Sequence, residues 1–147
     1  MTMLLLRHAL CALLVAASPW ASAQPLNVRP GGWDMTVSVS INGGAPKVSP
    51  IKSCVTKEDL ERDQAFQKDE DCSYKISARS STRFAGAVSC KNDSMQTRGE
   101  FEVVAASPET IVMKTATKGS SAKGGTVDSR MEMRGRWASA SCKGYDD

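Results

Sequence analysis

Histidine is almost missing from this chain: of 147 residues only His8 is a histidine, and it stands in the extreme N-terminal segment. If that segment is removed, the usual Ser-His-Asp and Cys-His arrangements are excluded. So are the commonest metal ligand and the usual general base near neutral pH. Serines are plentiful, yet no Gly-x-Ser-x-Gly elbow occurs. There is no Cys-x-x-Cys pair and no Met-x-x-Met cluster. Charge of one sign is also lacking: Lys+Arg number 19 against 16 Asp+Glu, a balance that gives no sign of a nucleic-acid partner. No apolar stretch beyond the N-terminus approaches the length of a membrane span. These absences argue against an enzyme and against a cofactor or metal protein.

What is present begins with a secretory pattern. Arg7 and His8 form a short basic region, Ala9 to Ala17 a short apolar one, and Ala21-Ser22-Ala23 a small-residue cleavage site. The expected division is therefore a signal peptide over 1–23 and a single secreted β domain over 24–147, working in the periplasm. Loss of Arg7 would lower the formal charge from +3 by one unit. Cys11 lies within the apolar region, away from the cleavage site, so a lipid anchor on it is not expected.

Cleavage would leave Cys54, Cys72, Cys90 and Cys142. An even number of cysteines in a small secreted chain reads as two disulfides, with three possible pairings. The pairing favoured here is Cys54–Cys72, closing a local loop around a helix, with Cys90–Cys142 tying the C-terminus to the sheet. A four-thiolate zinc site is the rival, disfavoured by the spacing and by an oxidising compartment.

Most of the rest alternates with the period of a half-buried strand. Trp33, Met35, Val37, Val39 and Ile41 share one face of a first strand. Asn42-Gly43-Gly44 then signals a hairpin. Lys47 to Val55 is the return strand, and Pro50 puts it at an edge or bulge. Thr56 caps a helix predicted over Lys57 to Phe66, with Glu58 and Asp59 in its first turn and Leu60 and Phe66 as anchors. Further strands follow over Cys72–Ser80, around Phe84 to Cys90, over Met95–Ala105, over Thr110–Thr117 and over Thr126–Trp137. Gln24 to Gly32 reads as a leader, Lys118 to Gly125 as a mobile loop and Ala138 to Asp147 as a tail. The sum is a mainly all-β chain. About seven antiparallel strands form a meander, with one short helix after the second. Apolar residues line one face of nearly every strand, so the sheet must curl over that face as a half-barrel or barrel.

Several of these residues occur together in a known family. Pro30-Gly31-Gly32-Trp33-Asp34-Met35 is similar to its Pro-Gly-x-Trp-Glu opening. Cys54-Val55-Thr56-Lys57-Glu58-Asp59 is similar to its first-cysteine motif, and Cys72, Cys90, Met131-Glu132-Met133, Gly135 and Cys142 follow in its order. The chain resembles the secreted bacterial family called domain of unknown function 3617 over essentially all of residues 24–147. Asp34 replaces the usual Glu, and Phe84 stands where a second tryptophan is often found. The resemblance implies a periplasmic protein and supplies no activity.

Three sets of residues are candidates for function. Met35, Met95, Met113, Met131 and Met133 all face inward on this reading, together with Trp33 and Trp137. Methionines fill irregular cores, and they also line adaptable pockets for apolar or lipid-like ligands. Copper(I) is the more distant alternative. The outward residues Arg130, Glu132, Arg134 and Arg136 are expected to pair with Arg98, Glu100, Glu102 or Lys114 on neighbouring strands; the alternative is a basic stripe that reads anionic lipid or glycan. Glu100 and Glu102 are the one carboxylate pair that suits acid–base work. The function expected is non-catalytic: binding of a small apolar ligand in a Met-lined pocket, or an envelope protein-interaction module with no ligand.

Overall fold

The computed structural model describes residues 24–62 and 69–145. The expected signal peptide, Phe66 and the last two residues lie outside that range. Seven strands form one antiparallel sheet: β1 (Gly31–Ile41), β2 (Lys47–Val55), β3 (Cys72–Arg79), β4 (Arg83–Lys91), β5 (Met95–Ser107), β6 (Thr110–Ser121) and β7 (Thr126–Ser139). A single turn of helix, α1 (Lys57–Glu61), follows β2. The order across the sheet is β2-β1-β7-β6-β5-β4-β3. Strands β3 to β7 form the expected meander. The β1–β2 hairpin joins it through β7, leaving β2 and β3 as open edges. The sheet is curled and not closed.

Alternation decides the two faces. Trp33, Met35, Phe101, Val103, Ile111, Met113 and Met133 point inward and are buried, with Trp33 and Val103 wholly so. The polar partners on the same strands point outward. Curling needs close approach between strands, and three glycines allow it. A side chain on Gly86, Gly99 or Gly119 would strike the main chain of Lys75, Ala116 or Gln96 respectively. From β4 to β6 these glycines step two residues per strand along the register. They mark a diagonal crease like that of a barrel with tilted strands.

One end of the curl is capped. The leader is more than a lead-in: Leu26 and Val28 are buried in the core. The Asn27 N–H donates to Ser81 O at 2.6 Å and the Arg29 N–H to Pro108 O at 2.9 Å. The segment thus crosses the ends of the β3–β4 and β5–β6 turns, a role its own proline-rich sequence does not signal. Gly31, at φ 130, has a backbone closed to ordinary side chains. The ring of Tyr145 lies over Gly32, only 2.5 Å from where a β-carbon would stand. The Pro-Gly-Gly-Trp opening is therefore the entry of the chain into a crowded end. α1 sits at this end, closed by a capping box: Asp59 N–H donates to Thr56 Oγ1 at 3.1 Å, and Thr56 N–H to Asp59 Oδ2 at 2.8 Å. Only Leu60 of this turn is buried. Described helix ends at Glu61, and the rest of the expected span reaches outside the described residues.

The disulfides correct the expected pairing. They join Cys54 to Cys142 and Cys72 to Cys90. Strand register explains this. Cys72 and Cys90 face each other directly on β3 and β4, while Cys54 ends β2 at the opposite edge, beside the C-terminal tail. The sequence loop around α1 suggested a local bridge, but β2 and β3 are separated by the width of the sheet. The expected loop over 118–125 is also shorter than its composition suggests, since β6 continues to Ser121.

Candidate functional site

The inner face holds the methionine set. Met113 and Met133 oppose each other on β6 and β7, and Met35 follows on β1; all three are buried among Trp33, Val103 and Ile111. Trp33 and Trp137 are direct partners on β1 and β7, neighbours without closure of the sheet. Their indoles donate to Arg29 O at 3.0 Å and to Pro30 O at 3.1 Å. Arg29 also lies 4.8 Å from the Trp137 ring centre and pairs with Glu109 at 2.6 Å. Both tryptophans therefore fasten the leader. Met131 is half-buried against the core, and Met95 is half-buried at the start of β5. The structure thus brings Trp33, Met35, Met113 and Met133 into one packed cluster and leaves Met95 outside it.

Toward the far end the inner face becomes more polar and more open. On β1 burial falls from Trp33 and Met35, through half-exposed Val37 and Val39, to Ile41 at 50% exposed. Thr97 and Thr117 are buried here. The Thr115 hydroxyl, between Phe101 and Met131 in the register, is buried with no hydrogen-bond partner. Tyr74 packs edge-on against Phe101 at 5.2 Å between ring centres. Burial, with a smaller contribution from Asp69, raises its phenol above the usual 10.0.

The outer face carries charge over a floor of small residues. Register places Lys75, Ala87, Glu100, Ala116 and Arg130 in one row across β3 to β7. The next row reads Ala85, Glu102, Lys114 and Glu132. Alanine at every second place of the first row leaves the floor low there while the long side chains stand up around it. The result is a broad open groove of about 1240 Å³. A second groove of about 640 Å³ lies beside β2, lined by Asp34, Pro50, Lys52, Arg134 and Arg136 among others.

The expected ion pairs are largely replaced by different ones. Arg134 pairs with Glu132 of its own strand at 2.6 Å and Arg130 with Asp128 at 3.9 Å. Across strands, Arg83 meets Glu102 at 2.5 Å and Lys118 meets Asp128 at 3.5 Å. Two-residue spacing on one face of a strand lets neighbours satisfy each other before cross-strand partners do. Arg98 faces Lys118 directly, a like-charge pairing that costs stability. Lys75, Arg98 and Lys114 hold no ion pair with a described residue. Glu100 and Glu102 share the face, but Glu102 is held by Arg83. Lys75 and the alanine floor were missed in the sequence because attention went to the charges of β5, β6 and β7; their outward phase in the alternation was the available signal.

No group of three or more potential metal-binding side chains occurs among the described residues, and none of their helices is long and apolar enough to cross a membrane. No curated protein and no solved structure matches the chain. One family profile does, over residues 28–142, from just inside the buried leader to the tail cysteine. The chain therefore belongs to the family described as a protein of unknown function, DUF3617.

Proposed function

We propose that this chain is a non-catalytic binding module of the bacterial periplasm that engages a macromolecular partner with the outer face of its sheet. The secretory pattern over 1–23 and two disulfides support an oxidising compartment. The observation that carries the reading is the contrast between the faces. The methionines and tryptophans that suggested an internal pocket are largely consumed in packing. The outer face instead keeps an open groove with an alanine floor and cations that the fold does not neutralise. Ala87→Trp with Ala116→Trp fills that floor at two exposed positions. The variant is expected to keep its circular dichroism and lose the partner that wild type retains after mild crosslinking in cells. Undiminished retention contradicts the proposal.

A second reading, an apolar or lipid-like ligand on the inner face, draws on one observation. Half-exposed Val39 and Met131 lie in one register row with an orphaned Thr115 hydroxyl, which suits an amphiphile with a single polar group. Native mass spectrometry of protein released without detergent tests it: an adduct of a few hundred daltons at one per chain supports it, and a bare chain opposes it.

A further inference from the structure

The exposed large hydrophobic residues of the described chain are Ile41, Val48 and Ile51. All three belong to the β1–β2 hairpin, at one open edge of the sheet. Ile51 lies in register with inward Met35 and Val48 with outward Ser38, so exposed apolar residues flank the β2 edge on both faces. The edge itself carries a second unsatisfied feature. β2 is hydrogen-bonded to β1 on one side and to no described strand on the other. Lys47 to Lys52 are all exposed, which leaves room for about six paired residues, roughly 20 Å of strand.

A third feature says what would pair there. The 640 Å³ groove beside β2 sets Lys52 and Arg136, with Arg134 already paired to Glu132, against Asp34 as the single acid lining it. A second copy of the chain is a poor occupant. Antiparallel pairing of β2 with itself would bring Lys47 and Lys52 of both copies to one edge, with no acid on either strand. Pro50 would also remove a donor from both sides.

We infer that β2 receives an extended acidic polypeptide segment as an eighth strand. Its main chain would pair with the free edge, the apolar face of its alternating side chains would rest on Ile51, and its carboxylates, on the other face, would reach the basic groove over Pro50. Main-chain pairing supplies the affinity of such strand addition and the alternate side chains its selectivity. The inference rests on the reading of the chain as a binding module and assigns the partner's chemistry at one border of the outer face.

The test uses the full disulfide-bonded chain and fluorescent ten-residue peptides, read by anisotropy. One peptide alternates valine with glutamate, one alternates valine with lysine, and one is the acidic peptide with N-methyl groups along one edge. The acidic peptide is expected to bind saturably. Binding should fall at least tenfold for the lysine peptide, for the N-methylated peptide, and for the chain carrying Val48→Ser and Ile51→Ser. These exposed substitutions should leave the thermal transition unchanged. Absence of saturable binding, equal binding of the lysine peptide, or indifference to N-methylation would overturn the inference. So would concentration-dependent dimers that Val48→Ser with Ile51→Ser abolishes, because the occupant would then be a second copy. Retention of a partner through Ala87 and Ala116 reads a different surface, so failure here leaves that result standing.

Discussion

The methionines differ sharply in what each one holds. Met113 is 1% exposed and packed on every side, so Met113→Ala removes both transfer energy and packing. A loss of about 2–5 kcal/mol is expected in urea unfolding. Met95, half-buried at the start of β5, should cost less than about 1 kcal/mol when truncated. Thr115 offers the opposite sign. Its hydroxyl is buried without a partner, and Thr115→Val should raise stability by about 1 kcal/mol, since an unsatisfied polar atom is removed at constant shape. A destabilised valine variant would mean that the hydroxyl has a partner in solution. Tyr74 sets a pH dependence. Its folded pKa is raised above the unfolded value of 10.0, first by burial and then by Asp69. The folded state thus holds this proton more tightly, and the resulting stability is complete below pH 10.0. It is lost as pH rises through the folded value. Thermal unfolding followed above pH 9 should show this alkaline loss in the wild type and less of it in Tyr74→Phe. Much at this scale was legible in the sequence, because a two-residue period states which side chains point inward. How deeply each is buried was not, because depth depends on what the curl and the leader place over it.

Among the elements, the two disulfides act on different problems. Cys72–Cys90 closes a separation of 18 residues across strands already paired throughout. Cys54–Cys142 closes a separation of 88 and fixes the tail that lays Tyr145 on Gly32. Loop entropy alone assigns them about 3 and about 4.6 kcal/mol. Replacing Cys54 and Cys142 by alanine should therefore lower the denaturation midpoint more than replacing Cys72 and Cys90. The opposite ranking would mean that the hairpin bridge guards the β3 edge against fraying. Alternation, the Asn-Gly turn and the Thr56 cap made most elements readable. The disulfide pairing was not, because it depends on which strands are neighbours, and hairpin logic cannot tell that β1 sits against β7 and not beside β3. The leader escaped for a related reason: Leu26 and Val28 make a single two-residue step, too short a period to read as a strand, and their burial comes from turns far along the chain.

As a whole molecule the chain is a curled sheet with one capped end, two open edges and two unlike faces. Its inner face is largely spent on cohesion. Its outer face and the β2 edge retain charge, small-residue space and unpaired backbone, which are properties a partner can use. Sequence alternation foretold the charged face, but the groove arises only when five strands bring Ala87, Ala116 and their long neighbours into register. The most direct test is a photo-crosslinking amino acid placed at Ala116, on the groove floor, in the full chain expressed with its own N-terminal segment. The same group placed at exposed Ser73, on the outward side of the β3 edge, serves as the control. The account predicts one discrete crosslinked macromolecular species from Ala116 and none of that mass from Ser73. Equal, diffuse labelling from both positions, or none from Ala116 while a small apolar molecule is extracted from the folded chain, would contradict it.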